Sequence, residues 1–234
     1  MILAGHQCNY LPNLSFIYKM YKADKFIIVD HVQYERHDWQ NRNRIRTKEG
    51  EVFLTIPIKR TGQNTPLHQV MIDNSTNWRR KHWMTLEQAY KKSPFWDCYS
   101  GFFKELYEQE WNYLADINFK IIGYLATCFN IQTLIAGRTS NFSFREKKTD
   151  LLIEMTKFFR CNGYLNGKGA KEYVDEKKFK DAGLECRWLD FKHPEYKQMW
   201  EPFMPNMSAI DILFNYGSEA KNILFKNGTQ KKEM

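Results

Sequence analysis

Cysteine is scarce and unpaired in this sequence. Cys8, Cys98, Cys128, Cys161 and Cys186 are odd in number, and none forms a CxxC pair. That excludes a disulfide framework or a zinc ribbon and predicts reduced thiols in a cytoplasmic protein. Long apolar runs are also missing. A membrane-spanning helix needs about 20 apolar residues, and the longest stretch, 121–135, is interrupted by Thr127 and Asn130. The opening MILAGHQCNY carries too short an apolar run for a signal peptide. The six histidines are scattered, with no HExxH. His31 and His37 share a segment with Asp38 but have no recognised ligand spacing, so no metal is expected. Neither GxGxxG nor GxxxxGK[ST] occurs, which removes the dinucleotide fingerprint and the Walker loop. There is no tandem repeat and no low-complexity segment.

What is present is a core and a charge. The 234 residues are 43% apolar and 16% aromatic, enough for one large α/β domain. The formal net charge of +8 favours an anionic partner, such as a phosphate, a nucleotide, a nucleic acid or an acidic surface.

The opening reads strand, turn, helix, strand. Residues 1–4 are apolar and end at Gly5. Pro12 suits the first turn of a helix, and Leu14, Ile17, Tyr18 and Tyr21 carry helical spacing. KFIIV at 25–29 is a second buried strand, closed by Asp30. Residues 31–48 are basic, polar and aromatic. Residues 52–58 alternate as a strand that 69–72 can pair with, across a turn at 60–66. Three helices follow, near 77–92, 94–108 and 111–129. Strands at 131–136, 163–165 and 184–191 then alternate with helices at 147–159 and 175–182, and helices at 208–214 and 218–225 close the chain. This pattern predicts a single α/β domain over 1–234, a mostly parallel, Rossmann-like sheet flanked by helices with a helical insertion at 74–130.

In open parallel sheets ligands bind beyond the carboxyl ends of the strands. His6, Gln7 and Asp30 are expected at that edge. His6 precedes a helix N-terminus and is a candidate general base or phosphate ligand. His193, extended by Pro194, follows the 184–191 strand and is expected to meet His6 in one cleft, with Asp30 orienting an imidazole. In NRNRIR, alternate spacing puts Arg42, Arg44 and Arg46 on one face, a geometry suited to phosphate; Asn43 adds donors and acceptors, and Lys19 can join them. Trp78 and His82 share a helix face, and His82 is a weaker candidate. GYLNGKGAKEY sets two glycines around Lys168, so its backbone can approach an anion. Cys8 reads as a small buried thiol rather than a nucleophile.

Several blocks together resemble the WbqC-like family: HQxNYLP from His6, ADxFxxxDxVQ at 23–33, NRNRI at 41–45 and DNSxNWRRKHW at 73–83. YLxGxGAxxY at 164–173, HPxYxQ at 193–198 and SxIDxLFNxG at 208–217 complete the set. The family is associated with O-antigen and other surface-glycan gene clusters. The resemblance implies transfer of glycine or another acyl group to an amino sugar. It also implies substrate-binding roles for Gln7, Tyr10, Lys19, Gln33, Arg42, Asn43, Arg44, His82, Gly167, Lys168, Tyr196, Gln198 and Asp211. Where the family reads HQPNYLPW and then Gly, this chain has Cys8, Asn13 and Ser15, which predicts a looser loop after the first strand.

Three readings follow. One is an acyl or aminoacyl transferase on a nucleotide-linked amino sugar, with no resident cofactor and with an acyl carrier protein, coenzyme A, aminoacyl-tRNA or an adenylate as donor. Another is a nucleotidyl-transfer or adenylate-forming enzyme, on the analogy of the HIGH-motif layout. The last is a basic nucleic-acid-binding module, with Tyr34, Trp39, Trp78 and Trp83 stacking on bases.

Overall fold

Strand β1 (Ile2–Gln7) and strand β2 (Lys25–Val29) show period-2 burial on two faces at once. Ile2, Ala4, Phe26 and Ile28 enter one apolar cluster, while Leu3, Ile27 and Val29 enter another. A strand buried on both faces is the mark of a central strand in a three-layer α/β fold. In the computed structural model of the protein, which describes residues 1–62 and 64–226, these strands are the middle of a five-stranded sheet.

The sheet is completed by β5 (Leu134–Arg138), β6 (Gly163–Asn166) and β7 (Glu185–Trp188), in the order β5-β2-β1-β6-β7. All four pairings are parallel. From β1 the chain builds outward to β2 and β5, then returns to build β6 and β7 on the other side. The switch point therefore falls between β1 and β6, where a crevice opens at the carboxyl edge. Helix α1 (Leu14–Lys22) connects β1 to β2 and is capped by Asn13, whose side chain accepts the Phe16 N–H. Pro12 thus precedes the cap instead of opening the first turn.

Between β2 and β5 lie an antiparallel hairpin, β3 (Arg42–Thr47) with β4 (Gly50–Thr55), and helices α2 (Trp78–Tyr90), α3 (Trp96–Glu108) and α4 (Leu114–Cys128). Gly50, at φ +124°, closes the hairpin in a conformation that suits only glycine. The expected pairing of 52–58 with 69–72 shrinks to one bridge, Ile58 to Ile72, because β3 takes up β4 instead. Helices α5 (Lys148–Phe158) and α6 (Glu176–Asp181) follow β5 and β6 in turn, and α7 (Ile210–Tyr216) and α8 (Ala220–Lys226) end the described chain. Among the described residues no helix is long and apolar enough to cross a membrane.

Candidate functional site

β1 delivers His6 to the carboxyl edge, beside the switch point. The His6 Nδ1–H donates to the Gln7 carbonyl at 3.1 Å. A carbonyl only accepts, so the proton sits on Nδ1 and Nε2 keeps its lone pair. Burial, and then the Lys19 ammonium, lower the imidazole pKa from 6.5 to about 4. His6 is therefore neutral near pH 7.

Lys19 comes from α1, four residues after Ser15 and so on the same helix face. It is only 6% exposed. Its Nζ donates to the Gly5 carbonyl at 2.7 Å and stands 5.9 Å from the Tyr164 ring centroid. No carboxylate pairs with it among the described residues. Burial lowers its pKa to about 8, which leaves it mostly protonated at neutrality. His6, Ser15 and Lys19 form one wall of a cleft of about 230 Å³, and Gly167, Lys168, Gly169, Leu189 and Phe191 form the other. Gly167 and Lys168 follow β6 directly and open a short 3-10 turn, Lys168–Glu172. The cleft thus joins a neutral imidazole, a buried ammonium, a second lysine and a glycine-flanked backbone, a set suited to an anionic group with a transferable proton nearby.

The other expected residues lie elsewhere. His193 does not line this cleft, and both its ring nitrogens are committed: Nδ1–H donates to the Pro194 carbonyl at 2.8 Å, and Nε2 accepts the Asn206 N–H at 3.0 Å. Asp30 is fully buried, and its side chain orients no imidazole; only its backbone carbonyl does, accepting from His68 Nδ1–H at 3.0 Å. Its carboxylate accepts from Arg138 Nε, the Thr139 and Ser140 hydroxyls and the Ser140 N–H. Arg42, Arg44 and Arg46 do not form a phosphate cradle. Arg44 pairs with Glu51 at 2.7 Å and bonds the Asn206 carbonyl, while Arg46 is buried and donates to the Thr47 and Pro202 carbonyls. Arg42 donates to the His37 carbonyl and covers Phe53.

Tyr196, Gln198 and Asp211 form a buried network, with Asp211 accepting from Tyr90, Tyr196 and Gln198 at 2.9–3.0 Å. Tyr10, His82 and Tyr107 form another buried network, in which the Tyr10 hydroxyl meets His82 Nδ1 and the Tyr107 hydroxyl. Asn43 donates to the Tyr10 and Leu11 carbonyls, and Asn118 donates to the Cys8 carbonyl. These bonds fix the loop that the missing proline was expected to loosen. Gln33 is exposed, bridging to Pro66 through the backbone. Gln7 accepts from Gln40 at 2.7 Å. Cys8 is buried, with its thiol pKa pushed up by burial. Among the described residues no group of three or more His, Cys, Asp or Glu side chains is placed to hold a metal ion.

Sequence reasoning missed Ser15, Leu189 and Phe191. The Ser15–Lys19 spacing was a readable signal, and so was the alternation that turns Leu189 and Phe191 to one side. Ser15 and the Asn13 cap are two of the positions where the chain departs from the HQPNYLPW pattern, so the departures fall at the entry to α1.

Comparison with known proteins adds relatives. The model of the WbqC-like protein family matches residues 7–223. An uncharacterized protein of Mycobacterium tuberculosis (strain ATCC 25618 / H37Rv), Rv1507c, is 30% identical over 221 residues, covering 93% of this chain and 95% of the relative. No solved structure matches.

Proposed function

The chain belongs to the WbqC-like protein family, and from that premise and the chemistry of the cleft we propose that it is a cytoplasmic transferase of bacterial surface-glycan (O-antigen) synthesis. It moves an acyl or aminoacyl group, such as glycyl, onto the amine of a nucleotide-linked amino sugar. The observation that carries this reading is Lys19, a buried ammonium with no carboxylate partner among the described residues, set beside an imidazole that bonds the backbone through Nδ1 and so keeps its lone pair on Nε2. A buried charge without a counter-ion is costly to keep, and a ligand phosphate supplies the missing partner.

In this mechanism Lys19 and Lys168 hold the anionic part of the substrate. As the amine nitrogen attacks the acyl carbon, His6 Nε2 takes the proton the amine loses. As the bond to the donor breaks, the imidazolium returns that proton to the leaving thiolate or alkoxide. A base with a pKa of about 4 is too weak at pH 7. Burial is the larger cause of that depression and the Lys19 ammonium the smaller; an anion on Lys19 offsets the second and so moves His6 upward, making it a stronger base when substrate is bound. The donor is an acyl carrier protein, coenzyme A or aminoacyl-tRNA, and a net charge of +8 suits an acidic carrier or RNA.

The test has two parts. NMR titration of His6 should give a midpoint near 4 in the free protein and a higher one when a UDP- or dTDP-linked amino sugar is added. His6→Ala should lower turnover of such a sugar with an acyl donor by roughly 10²–10⁴-fold. An unmoved midpoint together with full turnover in His6→Ala rejects the reading.

A second reading, nucleotidyl transfer, is favoured by the position of Lys19 at the β1–β6 fork, where parallel α/β sheets receive nucleotide phosphates. Release of pyrophosphate from ATP would separate it from acyl transfer.

A further inference from the structure

A second basic hollow lies outside the His6 cleft. It has a volume of about 320 Å³ and is lined in part by Tyr34, Arg36, Asn41, Arg42, Lys59 and Arg60. Among the described residues none of its four cations comes within 4.0 Å of a carboxylate. The acidic groups that bear on it are Asp38, facing Tyr34, and Asp73, facing Lys59. Arg42 is held in place without being satisfied. One arm donates to the His37 carbonyl, and the guanidinium lies 5.2 Å from the Phe53 ring centroid. Its Nε is buried with no acceptor among the described residues. Buried donors without partners are rare in folded proteins, and each one calls for an explanation. Here a guanidinium held by one arm stands with three further cations around one hollow, a concentration of positive charge suited to phosphate.

We propose that this hollow is a second anion site, which takes the diphosphate of a nucleotide-bearing small molecule. It reaches the His6 cleft through one buried residue. The Gln40 amide donates to Gln7, at the end of β1, and its Oε1 accepts the Glu35 N–H. Asn41, next along the chain, lines the hollow. A side-chain hydrogen bond thus ties the loop that borders the hollow to the end of the strand that carries His6, and the two sites offer separate seats for the anionic ends of two substrates. The hollow binds diphosphate whether or not the His6 cleft performs acyl transfer.

The test is calorimetric titration of the full chain with inorganic pyrophosphate, comparing the wild type with a Lys59→Gln/Arg60→Gln double variant, with Arg42→Lys and with Lys19→Met. Lys59 and Arg60 are exposed, so the double variant keeps its fold, and circular dichroism checks this. Losing charge-assisted hydrogen bonds should weaken pyrophosphate at this site by roughly tenfold or more in the double variant. Arg42→Lys, which keeps the charge and loses the fork, should also bind more weakly, while Lys19→Met should keep the site. Pyrophosphate binding that persists unchanged in the double variant overturns the proposal, whatever the fate of the His6 cleft, and so does a wild type that binds none. Capture of a single-stranded oligonucleotide that pyrophosphate does not displace also overturns it, by assigning the hollow to RNA.

Discussion

His6 and His82 are both imidazoles kept neutral by the fold, each with a pKa lowered to about 4, chiefly by burial. In the unfolded chain they titrate near 6.5. Between those values the unfolded state binds more protons than the folded one, so stability rises with pH through this window and falls as the solution is acidified from about 6.5 toward 4. At about 1.4 kcal/mol per unit, the shift at His82, which is only 5% exposed, weighs about 3 kcal/mol. His82→Gln should therefore flatten the acid limb of urea-unfolding midpoints measured between pH 4.5 and 7.5, while lowering stability at pH 7.5 by about 1–3 kcal/mol through the lost Tyr10 bond. An acid limb as steep as the wild type's would refute the assignment. Residues like these also mark the boundary of what a sequence reveals. The place of His6 was legible because a strand end fixes it locally, whereas Lys19 was expected to join the arginines of 42–46 and instead stands beside His6. Asp211 was not legible, because its partner Tyr90 lies 121 residues away, and a polar residue held in a buried network looks the same in a sequence as one that holds a ligand.

At the scale of elements, the edge strand β5 is fastened to β2 by Asp30. Arg138, Thr139 and Ser140 all donate to that carboxylate from the end of β5 and the turn that follows, and Arg138 also pairs with Asp116 on α4. Asp30→Ala strands several buried donors at once, and breaking a buried ion pair from one side costs roughly 3–5 kcal/mol. Because the latch holds an edge, the loss should be local first. Hydrogen exchange should accelerate in β5 and in the 139–141 turn well before β1 or β6, whereas uniform acceleration across the sheet would contradict the latch. The parallel sheet itself was legible, since apolar runs such as KFIIV alternate with helical spacing. The hairpin partner of β4 was not. Its register depends on β3, whose arginines and asparagines read as a ligand loop until their side chains are seen bonded to the 201–206 segment and the loop after β1.

At the scale of the whole molecule, the free energy of folding and the binding of an anion pull Lys19 in opposite directions. Its ammonium is buried against Gly5 with one hydrogen bond and, among the described residues, no counter-ion, and it is one of the positive charges in a chain of net +8. Folding alone is better served by an apolar side chain of similar length. Lys19→Met removes the desolvation cost and keeps the stem's packing, so it should raise stability by about 1–3 kcal/mol. For a domain of this size that is a rise of about 2–4 °C in Tm per kcal/mol. A ligand that binds only the folded state raises Tm in proportion to its affinity. A UDP- or dTDP-linked amino sugar that stabilises the wild type should therefore have a smaller effect on Lys19→Met. Differential scanning fluorimetry with and without the nucleotide sugar measures both quantities in one experiment. A variant that is both less stable than the wild type and equally responsive to the sugar would show that Lys19 serves packing alone. A variant that is more stable but less responsive would place the unpaired charge in the service of a ligand.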